Sequence, residues 1–185
     1  MRSFMAFTVC LWMSSSNTKG TLVSYALSNS DNELLVEYDG NFDFFIGGTQ
    51  STTSVTANDG EWHYICISWE RSSGSWKFYK DGDLEEEGDN FKKDHQVRQG
   101  GTLVLGQEQD SVGGEFESSQ SFRGMLSHVN LWDRVLPGVQ IQEMSKSCGP
   151  DDQYDGNVYK WLDFPREGGP KLVESPTCKL VEAGM

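Results

Sequence analysis

Between Leu105 and Phe122 the sequence reads LGQEQDSVGGEFESSQSF, placing Glu108, Asp110, Glu115 and Glu117 in one short stretch interrupted by Gly113-Gly114. Carboxylates gathered so closely repel. A pair about 4 Å apart costs roughly 4 kcal/mol at an effective dielectric near 20. A folded chain tolerates this if the acids point apart into water, or if a cation sits among them. Gln107, Gln109 and Gln120 interleave with the acids, and no His or Cys is close by. An all-oxygen donor set suits a hard ion such as Ca²⁺, which takes 6–8 oxygens. A solvated acidic loop is the competing reading. Glu108 and Asp110 could also serve as a glycosidase's carboxylate pair. Gly113-Gly114 interrupts that strand almost at once, and catalytic carboxylates need rigid support.

The rest of the chain must position these groups. Its 185 residues suit one domain with a substantial core. A net charge of −13 argues against nucleic acid and anionic membranes as partners. No run of about 18 apolar residues is present, so no membrane-spanning helix is expected. The opening MRSFMAFTVCLWM does not read as a signal peptide, since Thr8-Val9-Cys10 fit a strand better. His63, His95 and His128 are dispersed and form no catalytic pattern.

Four cysteines, Cys10, Cys66, Cys148 and Cys178, include no C-x-x-C pair, so zinc is not indicated. Three pairings are possible. Chain order favours Cys10–Cys66 with Cys148–Cys178, and buried free thiols are the alternative.

Alternation over residues 6–12, with Phe7, Val9 and Leu11 on one side, predicts a strand. Further strands are expected at 21–26, 33–38, 42–46, 52–56, 62–69, 76–79, 102–105, 122–132 and 157–162. Asn and Asp turns separate several of them. Residues 84–99 read as a charged surface excursion. One short helix is expected near 136–146, with Pro137 in its first turn. The expected fold is all-β, a two-sheet antiparallel sandwich with one short helix. Residues 1–165 are expected to form the domain and 166–185 a tail, which a Cys148–Cys178 pairing would tie down.

Several segments together resemble the pentraxin family: Ala6-Phe7-Thr8-Val9-Cys10, Ser24-Tyr25-Ala26, Asp31-Asn32-Glu33, Tyr64 to Trp69, and above all Leu105-Gly106-Gln107-Glu108-Gln109-Asp110-Ser111. Asn130 to Asp133 and Asn157 to Trp161 extend the match, which spans roughly residues 5 to 165. The resemblance implies a jelly roll related to laminin G domains and lectins, non-enzymatic, with two adjacent Ca²⁺ ions on one face. It implies a first ion on Asp31, Asn32, Glu108, the Gln109 carbonyl and Asp110, and a second on Glu108, Asp110, Glu117 and Gln120. The disulfide it implies is Cys10–Cys66, and Cys148 and Cys178 are similar to an extra pair in longer, neuronal-type members.

It further implies a secreted, pattern-recognition or adhesion module of innate-immunity type. Its ligands would be phosphorylated small molecules, anionic glycans or proteins, and it would assemble as a homo-oligomeric ring. The family's ligand pocket falls at Glu37 and Gln50, where this chain has neither an apolar wall nor a charge facing an ammonium. Tyr64 and Arg71 depart from the family's short motif, and the family's first strands lie upstream of Ala6. The chain therefore reads as a fragment, or as one domain of a larger extracellular protein. A laminin G-like adhesion domain in which metal is incidental is the main alternative.

Overall fold

The computed structural model describes residues 3–147 and 154–165. The expected Cys148–Cys178 pair and the tail from 166 lie outside these residues. The chain folds as β1 (Ala6–Ser14), β2 (Lys19–Leu27), β3 (Ser30–Asp39), β4 (Phe42–Ile46), β5 (Thr49–Thr52), β6 (Trp62–Glu70), β7 (Trp76–Lys80), β8 (Asp83–Gly88), β9 (Thr102–Leu105), β10 (Met125–Trp132) and α1 (Gly138–Met144). One sheet has the order β10-β1-β6-β7-β8 and the other β5-β4-β3-β2-β9, all pairs antiparallel. This is the all-β jelly-roll sandwich expected.

The period-2 patterns explain the layering. Phe7, Val9, Leu11 and Met13 of β1 face inward with Ile65, Ile67 and Trp69 of β6. Leu34, Val36 and Tyr38 of β3 and Phe42, Phe44 and Ile46 of β4 meet them from the second sheet. Aromatic rings knit the two layers, with Phe42 and Phe78 centroids 5.0 Å apart and Phe44 and Trp76 5.1 Å apart. Edge-on and tilted contacts of this kind add to simple area burial.

The outer face of the first sheet carries a second apolar cluster. Cys10 and Cys66, directly opposite in register, are bridged there, as expected. Tyr64, Tyr79 and Trp132 pack around them under Leu136, Ile141 and Met144, so α1 covers this face. That leaves the outer face of the second sheet free of the helix.

Three elements differ from expectation. Within the excursion read at 84–99, β8 is a true edge strand paired with β7. Its Glu85, Glu86 and Glu87 hide it from pattern reading, because an edge strand held by main-chain bonds needs no apolar face and gains protection from charge. The fifth strand closes at Thr52 instead of running from 52 to 56. The strand read at 157–162 is an isolated Leu131–Tyr159 bridge followed by a one-turn 3-10 helix, Trp161–Asp163.

Candidate functional site

Two glycine-dependent turns set the site. At the first, Gly47 (φ +51°) donates its N–H to the Glu33 carbonyl at 2.9 Å, and Gly48 donates to the Asn32 carbonyl at 2.8 Å. A Cβ on Gly47 would stand 2.6 Å from the His95 ring. The carboxylate of Glu33, fully buried, accepts from Arg98 Nη2 at 2.9 Å, from the Arg98 backbone N–H at 3.0 Å and from Arg98 Nε at 3.2 Å. His95 Nε2 lies 3.2 Å from the same carboxylate. Burial alone would raise this carboxyl, but the Arg98 bonds, with help from Ser30 and His95, hold it below its ordinary range. The preceding residues, Asp31 and Asn32, are thereby fixed at the start of β3.

At the second turn, Gly113 (φ +73°) reverses the acidic loop. Its N–H donates to Gln109 Oε1 at 2.8 Å, and Ser111 and Gly114 exchange backbone bonds. Gln109 is wholly buried and pins the loop to β2. Its Nε2 donates to the Ser24 carbonyl at 2.8 Å and the Thr102 carbonyl at 3.1 Å, while Ser24 Oγ accepts its backbone N–H at 3.2 Å. The side chain is thus spent on structure, which leaves the backbone carbonyl as the oxygen this residue can offer. Further on, Thr21 N–H donates to the Gln120 carbonyl at 2.9 Å and Gln120 Nε2 donates to Glu108 Oε2.

The two turns converge on Glu108, which is nine-tenths buried. Burial raises its carboxyl above the ordinary range, and the nearby charges of Asp110, Asp31 and Glu117 push it further, against a hydrogen bond from Asn32. Residues 31–32, 108–110, 117 and 120 therefore do come together, although 75 or more positions separate the first group from the others. Asp31, Asp110 and Glu117 are exposed, Asn32 and Gln120 half-buried. No group of three or more His, Cys, Asp or Glu side chains gathers at metal-holding distance among the described residues. Mutual repulsion of like charges disfavours any closer approach.

The buried side-chain polar atoms without a hydrogen-bond partner tell more. Among the described residues these are Thr21 Oγ1, Asn32 Oδ1, Asp43 Oδ1, Gln107 Oε1 and Gln120 Oε1. All are oxygens, and all belong to the second sheet or to the loop that covers it. Buried polar groups are ordinarily satisfied, so five partnerless oxygens gathered on one side of the sandwich set this region apart. Asn32 and Gln120 are in the expected ligand set; Thr21, Asp43 and Gln107 are not. Nothing in their local sequence announces them, since an orphaned oxygen is defined by three-dimensional surroundings.

Glu37 and Gln50 lie on the same outer face. Glu37 stands opposite Asp43, and Gln50 opposite Phe45, which in turn faces Leu35. Burial, then the charges of Glu108 and Asp43, push the Glu37 carboxyl up to about 7. Half-buried Phe45 places an aromatic ring on this face opposite Gln50, while Glu37 itself offers no apolar wall. The adjacent Phe44-Phe45 was the available signal: one ring had to face outward. Beside the loop, a cavity of about 410 Å³ opens between the β2–β3 turn and Asp110 to Val112, with Asp31 on its wall. His63 stands away from this site, bonded to Asp81 at 2.7 Å and Asp59 at 3.1 Å.

A two-sheet jelly roll with one face under a helix and an acidic loop pinned across the other defines a class of β-sandwich module. The Pentaxin family model matches residues 2–168, and the chain belongs to this family. It is 40% identical to neuronal pentraxin-2 of Mus musculus over 180 residues, covering 94% of this chain and 41% of that protein. It is 42% identical, over 163 residues, to the sushi, von Willebrand factor type A, EGF and pentraxin domain-containing protein 1 of Rattus norvegicus, covering 86% of this chain and 4% of that one. The chain thus spans about two-fifths of the length of neuronal pentraxin-2. Among solved structures, the heptameric SAP-like pentraxin of Limulus polyphemus superposes with a TM-score of 0.78 at 30% identity, covering 88% of this chain and 79% of that one. Among the described residues no helix is long and apolar enough to cross a membrane.

Proposed function

We propose that this domain is a non-enzymatic, calcium-dependent binding module that captures anionic ligands on the outer face of its second sheet. Two Ca²⁺ ions would be held by Asp31, Asn32, Glu108, the Gln109 carbonyl, Asp110, Glu117 and Gln120. The observation that carries the reading is the set of partnerless buried oxygens on this face, Asn32 and Gln120 among them. Two shared ions need several anionic groups, and the four carboxylates of Asp31, Glu108, Asp110 and Glu117 answer that need. Cation binding also relieves the repulsion from Asp110, Asp31 and Glu117 that adds to burial in holding Glu108 above its ordinary range. Phosphate, carboxylate or sulfate oxygens of a ligand complete the open side of each ion. Secretion belongs to the same reading, as does assembly into a ring of identical chains, for which the heptameric relative is the support.

Calcium at 100 times its dissociation constant should stabilise the fold by about 2.7 kcal/mol, and a chelator should remove that gain. Glu108→Gln should lose most of it, because that carboxylate serves both ions. Differential scanning calorimetry with and without chelator decides the matter; an unchanged melting temperature means that the metal assignment is wrong.

A second expectation concerns the ligand. Glu37 offers no apolar wall for choline methyls and Gln50 no charge for an ammonium, while Phe45 contributes only a half-buried ring. Phosphocholine should therefore compete for the calcium-loaded domain no better than about tenfold over phosphoethanolamine, a gap of roughly 1.4 kcal/mol. Glu37→Phe with Gln50→Glu should raise the choline preference. Competition calorimetry showing a larger wild-type preference for phosphocholine would overturn this account of the pocket.

A further inference from the structure

We infer that Thr21, Glu37 and Asp43 form a third hard-cation site, separate from the proposed calcium pair, on the outer face of the second sheet. The three residues lie in one row across β2, β3 and β4, because Thr21 is the register partner of Glu37 and Glu37 of Asp43. Residues directly opposite on neighbouring strands bring their Cβ atoms to about 5 Å, and like charges so placed destabilise a sheet. An acidic pair alone would be no site. Here, however, Asp43 is 7% exposed and its Oδ1 has no partner, and Thr21 is 1% exposed and its Oγ1 has none either.

The alternatives fit less well. Lys19, two residues before Thr21 on β2, is engaged with Asp39 at 3.3 Å. A proton held between the two carboxyls would relieve their repulsion, but it leaves Thr21 Oγ1 without a partner. An ammonium group on a ligand would neutralise only one of two charges. A bare dication meets both conditions. Two carboxylates and a hydroxyl supply up to five oxygens, with water from the open face completing the shell. No imidazole or thiolate contributes, so the donors select a hard ion over zinc or copper.

Thr21 is also the register neighbour of Ser121, whose hydroxyl accepts from Gln107 Nε2 at 2.7 Å. That contact leaves the partnerless Gln107 Oε1 at the same end of the row. With few carboxylates and an open side, the affinity should fall near 10⁻⁴–10⁻³ M, roughly the range of weak extracellular calcium modules.

Equilibrium dialysis of the domain against ⁴⁵Ca²⁺, carried into the millimolar range, tests the inference. The native chain should bind one ion more than Asp43→Asn, and Thr21→Val should weaken that last ion several-fold without changing the others. Glu108→Gln should keep it. Should Asp43→Asn fail to fold, as calcium-free circular dichroism would show, Glu37→Gln carries the same expectation. Equal stoichiometry in the native chain and in the folded Asp43 or Glu37 variant overturns the third site. The two readings fail separately. A single ion abolished by Asp43→Asn and untouched by Glu108→Gln upholds this site and sinks the pair; two ions lost with Glu108→Gln and untouched by Asp43→Asn do the reverse.

Discussion

Replacing Cys10 and Cys66 together by alanine is expected to lower the unfolding free energy by about 4 kcal/mol. The bridge joins residues separated by 56 positions, directly opposite on β1 and β6 with Cα atoms 4.2 Å apart. Opening it returns that loop's freedom to the unfolded chain, and the chain-entropy relation for a loop of this size gives the magnitude. The native state adds to the loss. Both cysteines are wholly buried beneath α1, among Trp132, Leu136, Ile141 and Met144, so truncation to alanine leaves a small void there. Substituting both residues avoids the separate effect of a lone reactive thiol. Urea denaturation of the double variant beside the oxidised native chain measures the difference. A loss under about 1 kcal/mol would mean that the paired strands hold together unaided.

Arg98→Ala is expected to cost about 3 kcal/mol, the low end for breaking a buried ion pair. The Glu33 side chain is fully buried while that of Arg98 is 42% exposed, so solvent already screens part of the pair. What makes the change costly is the carboxylate left behind with its guanidinium partner gone. Replacing Glu33 and Arg98 together by leucine should therefore cost less than Arg98→Ala alone. If the double variant is the less stable of the two, the uncompensated charge is not the cause.

The pH dependence follows with its sign. Burial opposes ionisation of Glu33, but the Arg98 bonds outweigh it and depress the folded-state value below 4.5. Stability from this pair is accordingly complete above pH 4.5 and is lost as pH falls through the folded value. Thermal melts between pH 7 and pH 3 should show a steeper acid loss for the native chain than for Arg98→Ala.

The same clamp has a bearing on the site. Glu33 follows Asp31-Asn32 in the chain, and Arg98 lies in the segment that reads as a surface excursion. Only after folding do they meet, and their meeting fixes the turn that presents two of the proposed ligands.

The sequence by itself determined the sandwich. A strand with one face buried must alternate, so Phe7, Val9 and Leu11 could be assigned to the core and Thr8, Cys10 and Trp12 to the other face without coordinates. Crowded acids beside amides with no imidazole or thiol nearby likewise mean that any metal bound there would be a hard cation, wherever they fold. The tertiary structure alone decided three other matters. It showed that β8 pairs through its backbone despite a charged sequence, because main-chain bonds leave no pattern in side chains. It brought Asp31 and Asn32 to Glu108 and buried Glu33 against Arg98, contacts between residues at least 65 positions apart. And it revealed Thr21, Asp43 and Gln107 as unsatisfied oxygens. Residue type fixes what an atom can donate or accept, but only the packed surroundings decide whether that capacity is met.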